Sequence, residues 1–175
     1  MDRPAAGEAA EYYQKYIKLV PNEPLLDVLY KQNQQFGAFF AQINNDQASF
    51  RYDKGKWSIR EVIGHLVDVE LVFCYRALGI SRGDKTDFPG FAENEYVKNS
   101  RYDQMELGQL IELFYNCRRA TIALFSSFDD KMSKKKGKAN NNPFSVRAIG
   151  YVIAGHLIHH MKVISERYLK AMNQK

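Results

Sequence analysis

The sequence predicts an all-α protein, a four-helix bundle with an additional N-terminal helix. Three observations carry this. Apolar residues recur at spacings of three and four along most of the 175-residue chain. No run alternates apolar and polar residues between Gly-bounded turns as strands do. Four periodic segments have similar lengths of roughly 20 to 27 residues, about 30–40 Å each at 1.5 Å per residue, and matched lengths favour a bundle.

Ala9, Tyr12, Tyr13, Tyr16, Ile17 and Val20 mark a short amphipathic helix that stops before Pro21 and packs across the bundle. The first bundle helix begins near Pro24, which a first helical turn tolerates. It carries Leu25, Leu26, Leu29, Phe36, Phe39, Phe40 and Ile43, and Asn44, Asn45 and Asp46 favour its end. Ser58 followed by Glu61 is a capping box before the stripe Ile59, Val62, Ile63, Leu66, Val69 and Phe73, so the second helix runs from Ser58 to about Ile80. Residues 83–102 hold Pro89 and Gly90 with little periodicity, a length that calls for a functional cover or partial helix. Asp103 is expected to cap the third helix through about Phe128. Ser145 is expected to cap the fourth, through about Ala171. The reading is one domain, 1–175, with its core bundle at about 24–172.

Composition narrows the function. Apolar residues at 45% and charged residues at 26% suit a globular chain rather than a disordered one. No apolar leader and no run of about 18 apolar residues is visible, so no membrane partner is expected and the cytoplasm is the expected location. Two cysteines cannot build a disulfide framework; Cys74 and Cys117 lie mid-helix, where buried inert thiols are the norm. The net charge of +5 comes from Lys131, Lys134, Lys135, Lys136 and Lys138, read as a solvated connector. Without them acids and bases balance, so no nucleic-acid partner is expected.

The four histidines are His65, His156, His159 and His160. His156 and His160 are four apart and project from neighbouring turns of one helix face, the buried one marked by Val152, Ile153, Val163 and Ile164. His65 borders the apolar stripe of its own helix. Two readings stand: three separately satisfied core histidines, or three imidazoles on one metal ion. The second gains weight because each unpaired buried donor or acceptor costs roughly 1–3 kcal/mol. His159 lies about 60° around the helix from His156, at the edge of the cluster or on the surface. Asp68, three beyond His65, either orients that imidazole and relays a proton or is a surface acid. Glu70 reads as structural and Trp57 as a residue stapling the Ser58 cap. Tyr75 and Arg76 are within reach of a site mouth.

The stretch Lys56-Trp57-Ser58-Ile59-Arg60-Glu61-Val62-Ile63-Gly64-His65-Leu66, together with Gly155-His156-Leu157-Ile158-His159-His160, resembles the DinB-like superfamily of four-helix-bundle metalloproteins. Arg82-Gly83-Asp84-Lys85-Thr86, Phe88-Pro89-Gly90-Phe91, Tyr96-Val97-Lys98-Asn99-Ser100 and Glu166-Arg167-Tyr168-Leu169 extend the resemblance over nearly the whole chain. It implies a divalent ion, zinc or nickel, on His65, His156 and His160. It also implies small-molecule chemistry: thiol S-transferases and isomerases using bacillithiol, mycothiol or glutathione, or metal-dependent hydrolases. The expectation is therefore a metal-dependent enzyme with a small-molecule substrate, a low-molecular-weight thiol among the candidates, and Asp68 as the catalytic side chain. The segment from Asp84 to Ser100 is the expected substrate-selecting cover, and a homodimer is compatible. The rival is a non-enzymatic metal-binding or stress-response module.

Overall fold

The computed structural model describes residues 1–172, so the last three residues of the 1–175 domain lie outside the described residues. Four helices form the bundle: α2 (Leu25–Phe40), α4 (Ile59–Arg82), α6 (Leu107–Ser126) and α8 (Val146–Val163). Helix α4 packs on α6 and α8, and α2 packs on the same two. Consecutive helices α2 and α4 thus face each other across the bundle diagonal, which the long connections around them permit. Helix α1 (Glu11–Ile17) lies across α8. Its close approach depends on Gly155, where any Cβ would run into the Tyr16 backbone. The general gain of about 1 kcal/mol for alanine over glycine in a helix is reversed here, because backbone cannot swing aside.

The expected starts hold at Ser58 and Ser145. Ser58 Oγ accepts from the Glu61 amide at 3.1 Å and the Glu61 carboxylate accepts from the Ser58 amide at 2.8 Å. Ser145 Oγ accepts from the Ala148 amide at 3.1 Å. Elsewhere tertiary contacts move the boundaries. Asp103 does not cap α6: its carboxylate accepts from Ser58 Oγ at 2.6 Å and from Arg51 at 2.9 Å, pinning a 3₁₀ turn (Tyr102–Gln104) to the start of α4. Glu106 and Gln109 form the cap of α6 instead, and that helix ends at Ser126. Asn44 ends α2 only indirectly; with Gln47 it opens a separate short helix, α3 (Asn45–Ala48). The last helix changes to a π turn over Ile164–Leu169 before the short α9 (Lys170–Met172).

The expected all-α bundle with its N-terminal helix holds, and a small sheet accompanies it. Strands β1 (Asp87–Phe88), β2 (Lys136–Ala139) and β3 (Asn142–Ser145) pair in that order, the first pair parallel and the second antiparallel. Asn140 and Asn141 both take positive φ (53° and 60°), the two-residue hairpin turn that asparagine tolerates. The Lys-rich connector is therefore structured, through α7 (Asp130–Ser133) and β2, and Lys135 donates to the Ser81 carbonyl at 2.6 Å. β1 and α5 (Glu93–Asn99) fold the 83–102 segment back over the bundle.

Ahead of α1, Glu8 is buried against Ser145 Oγ (2.7 Å) and pairs with Arg147. Hydrogen bonds from Arg147, and then from Ser145, outweigh burial and hold its carboxyl down at about 2. A carboxylate with a lowered folded pKa stabilises fully above its unfolded value and loses that contribution as pH falls through the folded one. Wild type should therefore exceed Glu8→Gln by up to about 3 kcal/mol at pH 7, with the margin shrinking from pH 4.5 towards 2. Denaturant midpoints for both proteins across that range check it; a margin independent of pH would contradict it.

Candidate metal centre

The bundle core is two apolar clusters separated by a polar layer. One cluster holds Leu25, Leu29, Phe73, Phe125 and Val152; the other holds Phe36, Phe40, Ile63, Phe114 and Leu157. On each bundle helix the change from one to the other falls at a polar side chain: Gln32 on α2, Asp68 between the buried His65 and Glu70 on α4, Arg118 on α6 and His156 on α8. Fully buried Arg118 grips Glu70 in two bonds of 2.7 Å and donates to Gln32 at 2.6 Å, and Gln32 donates to the Ala154 carbonyl at 2.9 Å. Glu70 is thus structural, as its position predicts.

Above this network the three imidazoles meet. His156 Nε2 lies 3.2 Å from His65 Nε2 and 3.0 Å from His160 Nε2, and all three donor atoms fall within 4.8 Å of one another. The helical periods of α4 and α8 account for this: each histidine continues its buried stripe. Burial pushes the His65 pKa down to about 4 and that of His160 to about 2; His156 is lowered too, by burial and then by its neighbours. All three rings are neutral at pH 7, with lone pairs available.

The donor set fits a divalent cation. A single Nε2 offers one in-plane lone pair or one N–H, so His156 cannot make two good hydrogen bonds through that atom. Nitrogens about 2.0–2.1 Å from a tetrahedral ion stand roughly 3.3 Å apart, near the spacing seen here. Three neutral nitrogens suit zinc and nickel alike and leave positions for other ligands.

His159 lies outside the triad, its ring 5.1 Å from that of His160. Asp68 does not orient His65: it accepts from the Tyr102 hydroxyl at 2.6 Å, and among the described residues no hydrogen bond joins it to an imidazole. Tyr102 lies against α4 because Gly64, next to His65, has no side chain in its way. Trp57 is more than a staple; its ring is 4.7 Å from that of His65. Tyr16 of α1 was missed as a site residue, and its ring stands 5.3 Å from that of His156. Helical spacing had placed it only on an apolar stripe.

Two clefts flank the triad. His156 lines one of about 330 Å³ with Tyr13, Tyr16, Phe73, Arg76 and Phe91. His160 lines another of about 430 Å³ with Trp57, Lys56, His159 and Arg167. The cover reaches both, through Gly90, Phe91 and Glu93 on one side and Asn94 on the other. Tyr75 stays exposed against Phe88. Burial pushes the Cys74 thiol up to about 12 and raises Cys117 as well, so neither is an activated nucleophile. No helix among the described residues is long and apolar enough to cross a membrane.

The model of the DinB superfamily matches residues 29–164. No curated protein matches the sequence. Among solved structures, the chain is similar to YfiT from Bacillus subtilis, described as a probable metal-dependent hydrolase with an unusual four-helix bundle topology. The likeness has a TM-score of 0.69 at 17% identity and covers 95% of this chain and 91% of YfiT.

Proposed function

This chain belongs to the DinB superfamily, and from that premise we propose that it is a divalent-metal-dependent enzyme of small molecules, a thiol S-transferase. The convergence of three neutral imidazole nitrogens beside two clefts carries the reading. A dication held there supplies Lewis acidity and lowers the pKa of a thiol or water that it binds. The chain's own residues define the rest. His65, His156 and His160 hold the ion, while Trp57 and Tyr16 pack on the rings and restrict them. With Cys117 buried, Cys74 partly buried and both thiol pKa values raised, the nucleophile comes from outside. Asp68 acts through Tyr102, whose hydroxyl it accepts from, rather than on His65 directly.

A hydrolase is the second reading, favoured by the description of the structurally similar YfiT. Protein loaded with zinc or nickel and offered monochlorobimane with bacillithiol, glutathione or cysteine should conjugate one of these thiols faster than the uncatalysed mixture. The rate should vanish in His65→Ala and in His160→Ala. Conjugation that survives both substitutions would overturn the metal-dependent reading. Ester or amide hydrolysis without any thiol transfer would make the chain a hydrolase.

A further inference from the structure

Among the described residues two arginines are buried, Arg118 and Arg76; Arg118 has a carboxylate partner in Glu70, as the half-buried Arg147 has in Glu8. Arg76 is the exception. Its residue is 3% exposed, yet among the described residues no carboxylate stands within 4.0 Å of its guanidinium. Its partners are all neutral: the Pro89 carbonyl at 2.7 Å, the Tyr13 hydroxyl, and the Phe73 and Phe91 rings, whose centroids are 5.0 and 5.9 Å away. A buried cation without a counter-charge costs several kcal/mol, and one carbonyl with two ring faces recovers only part of that.

The guanidinium lines the same cleft as His156. Arg76 and His65 are eleven residues apart on α4, three helical turns, so they share a face about 16 Å apart along the axis. A helical side chain leans towards the N-terminus, here towards His65, and the guanidinium accordingly lies over the Phe73 ring, 5.0 Å from its centroid. Phe73, Tyr13 and Phe91 wall that interval. Glu93 at the rim is exposed and has Lys15 near it.

We propose that Arg76 is the anchor of an anion subsite: the cleft takes a small, elongated substrate whose carboxylate or phosphate pairs with Arg76 while its apolar middle lies on the aromatic wall and its reactive end reaches His156. This rests on the reading of the triad as a substrate-processing centre. A planar guanidinium with unused N–H groups matches either anion in two bonds, and low local polarity strengthens both. The Pro89 contact ties the anchor to the cover, so the segment carrying Gly90 and Phe91 is set by the same side chain that receives the anion.

The test is calorimetric titration of metal-stripped, full-length protein, which separates this proposal from the metal reading. The probes are 4-phenylbutyrate, its neutral amide, and 4-phenylbutyl phosphate. A charged probe should bind about 10- to 100-fold more tightly than the amide. That preference should disappear in Arg76→Gln and persist, weakened, in Arg76→Lys. Tighter carboxylate binding or tighter phosphate binding each supports the anchor and identifies its headgroup. Equal affinity of wild type for amide and anions, or no binding of either anion at millimolar concentration, overturns it without recourse to any variant. A preference that survives intact in folded Arg76→Gln also overturns it. Metal content unchanged in the His156→Ala, His160→Ala variant, with the anion preference retained, would leave the anchor standing and remove only the reading on which its catalytic use rests.

Discussion

Glu70→Ala is expected to destabilise the fold by about 3–5 kcal/mol, the range for stranding one member of a buried ion pair. Arg118 is fully buried, bonded twice to Glu70 and once to Gln32, with the Phe114 ring 5.0 Å from its guanidinium. Removing the carboxylate leaves a charge that water cannot reach. For a domain whose whole stability is typically about 5–15 kcal/mol, this is a large fraction. The same logic gives a diagnostic rescue. Glu70→Met combined with Arg118→Leu removes both charges and should restore most of the loss, because a desolvated pair can be exchanged for apolar packing at little cost. Urea midpoints measure both. A loss below about 1 kcal/mol for Glu70→Ala would show that water or another group compensates Arg118, contrary to its burial.

Metal should raise the melting temperature of the wild-type protein by roughly 10 °C. A ligand that binds only the folded state, at a free concentration 1,000 times its Kd, adds about 4 kcal/mol. In a chain of this size each kcal/mol shifts the midpoint by about 2–4 °C. The triad belongs to the folded state alone, since His65 comes from α4 and the other two histidines from α8. Scanning calorimetry at pH 7.5 with zinc or nickel should show the shift in wild type and none in the His156→Ala, His160→Ala double variant. A shift of equal size in both would mean that the ion binds elsewhere.

Several of these features are local and were readable. The Ser58–Glu61 capping box needs only residues three apart, and the stripes that carry His65, His156 and His160 follow from helical period. What escaped depends on distant partners. Asp103 is a good capping residue by type, but Ser58 and Arg51 claim its carboxylate, and the cap passes to Glu106. The hairpin around Asn140 and Asn141 has strands of four residues rich in Lys, Gly and Pro, too short to show an alternation. Gln32 and Arg118 reveal their shared layer only when α2 and α6 meet α4. Asp68 is three residues from His65, yet its partner is Tyr102, which is 34 residues away in sequence.

The central claim, a divalent ion held by His65, His156 and His160, is tested most directly by elemental analysis of protein purified without a histidine tag. Wild type should carry about one equivalent of zinc or nickel per chain, as one three-nitrogen site requires, and the His156→Ala, His160→Ala variant should carry almost none. Equal metal content in the two proteins, with the variant folded by circular dichroism, would contradict the account.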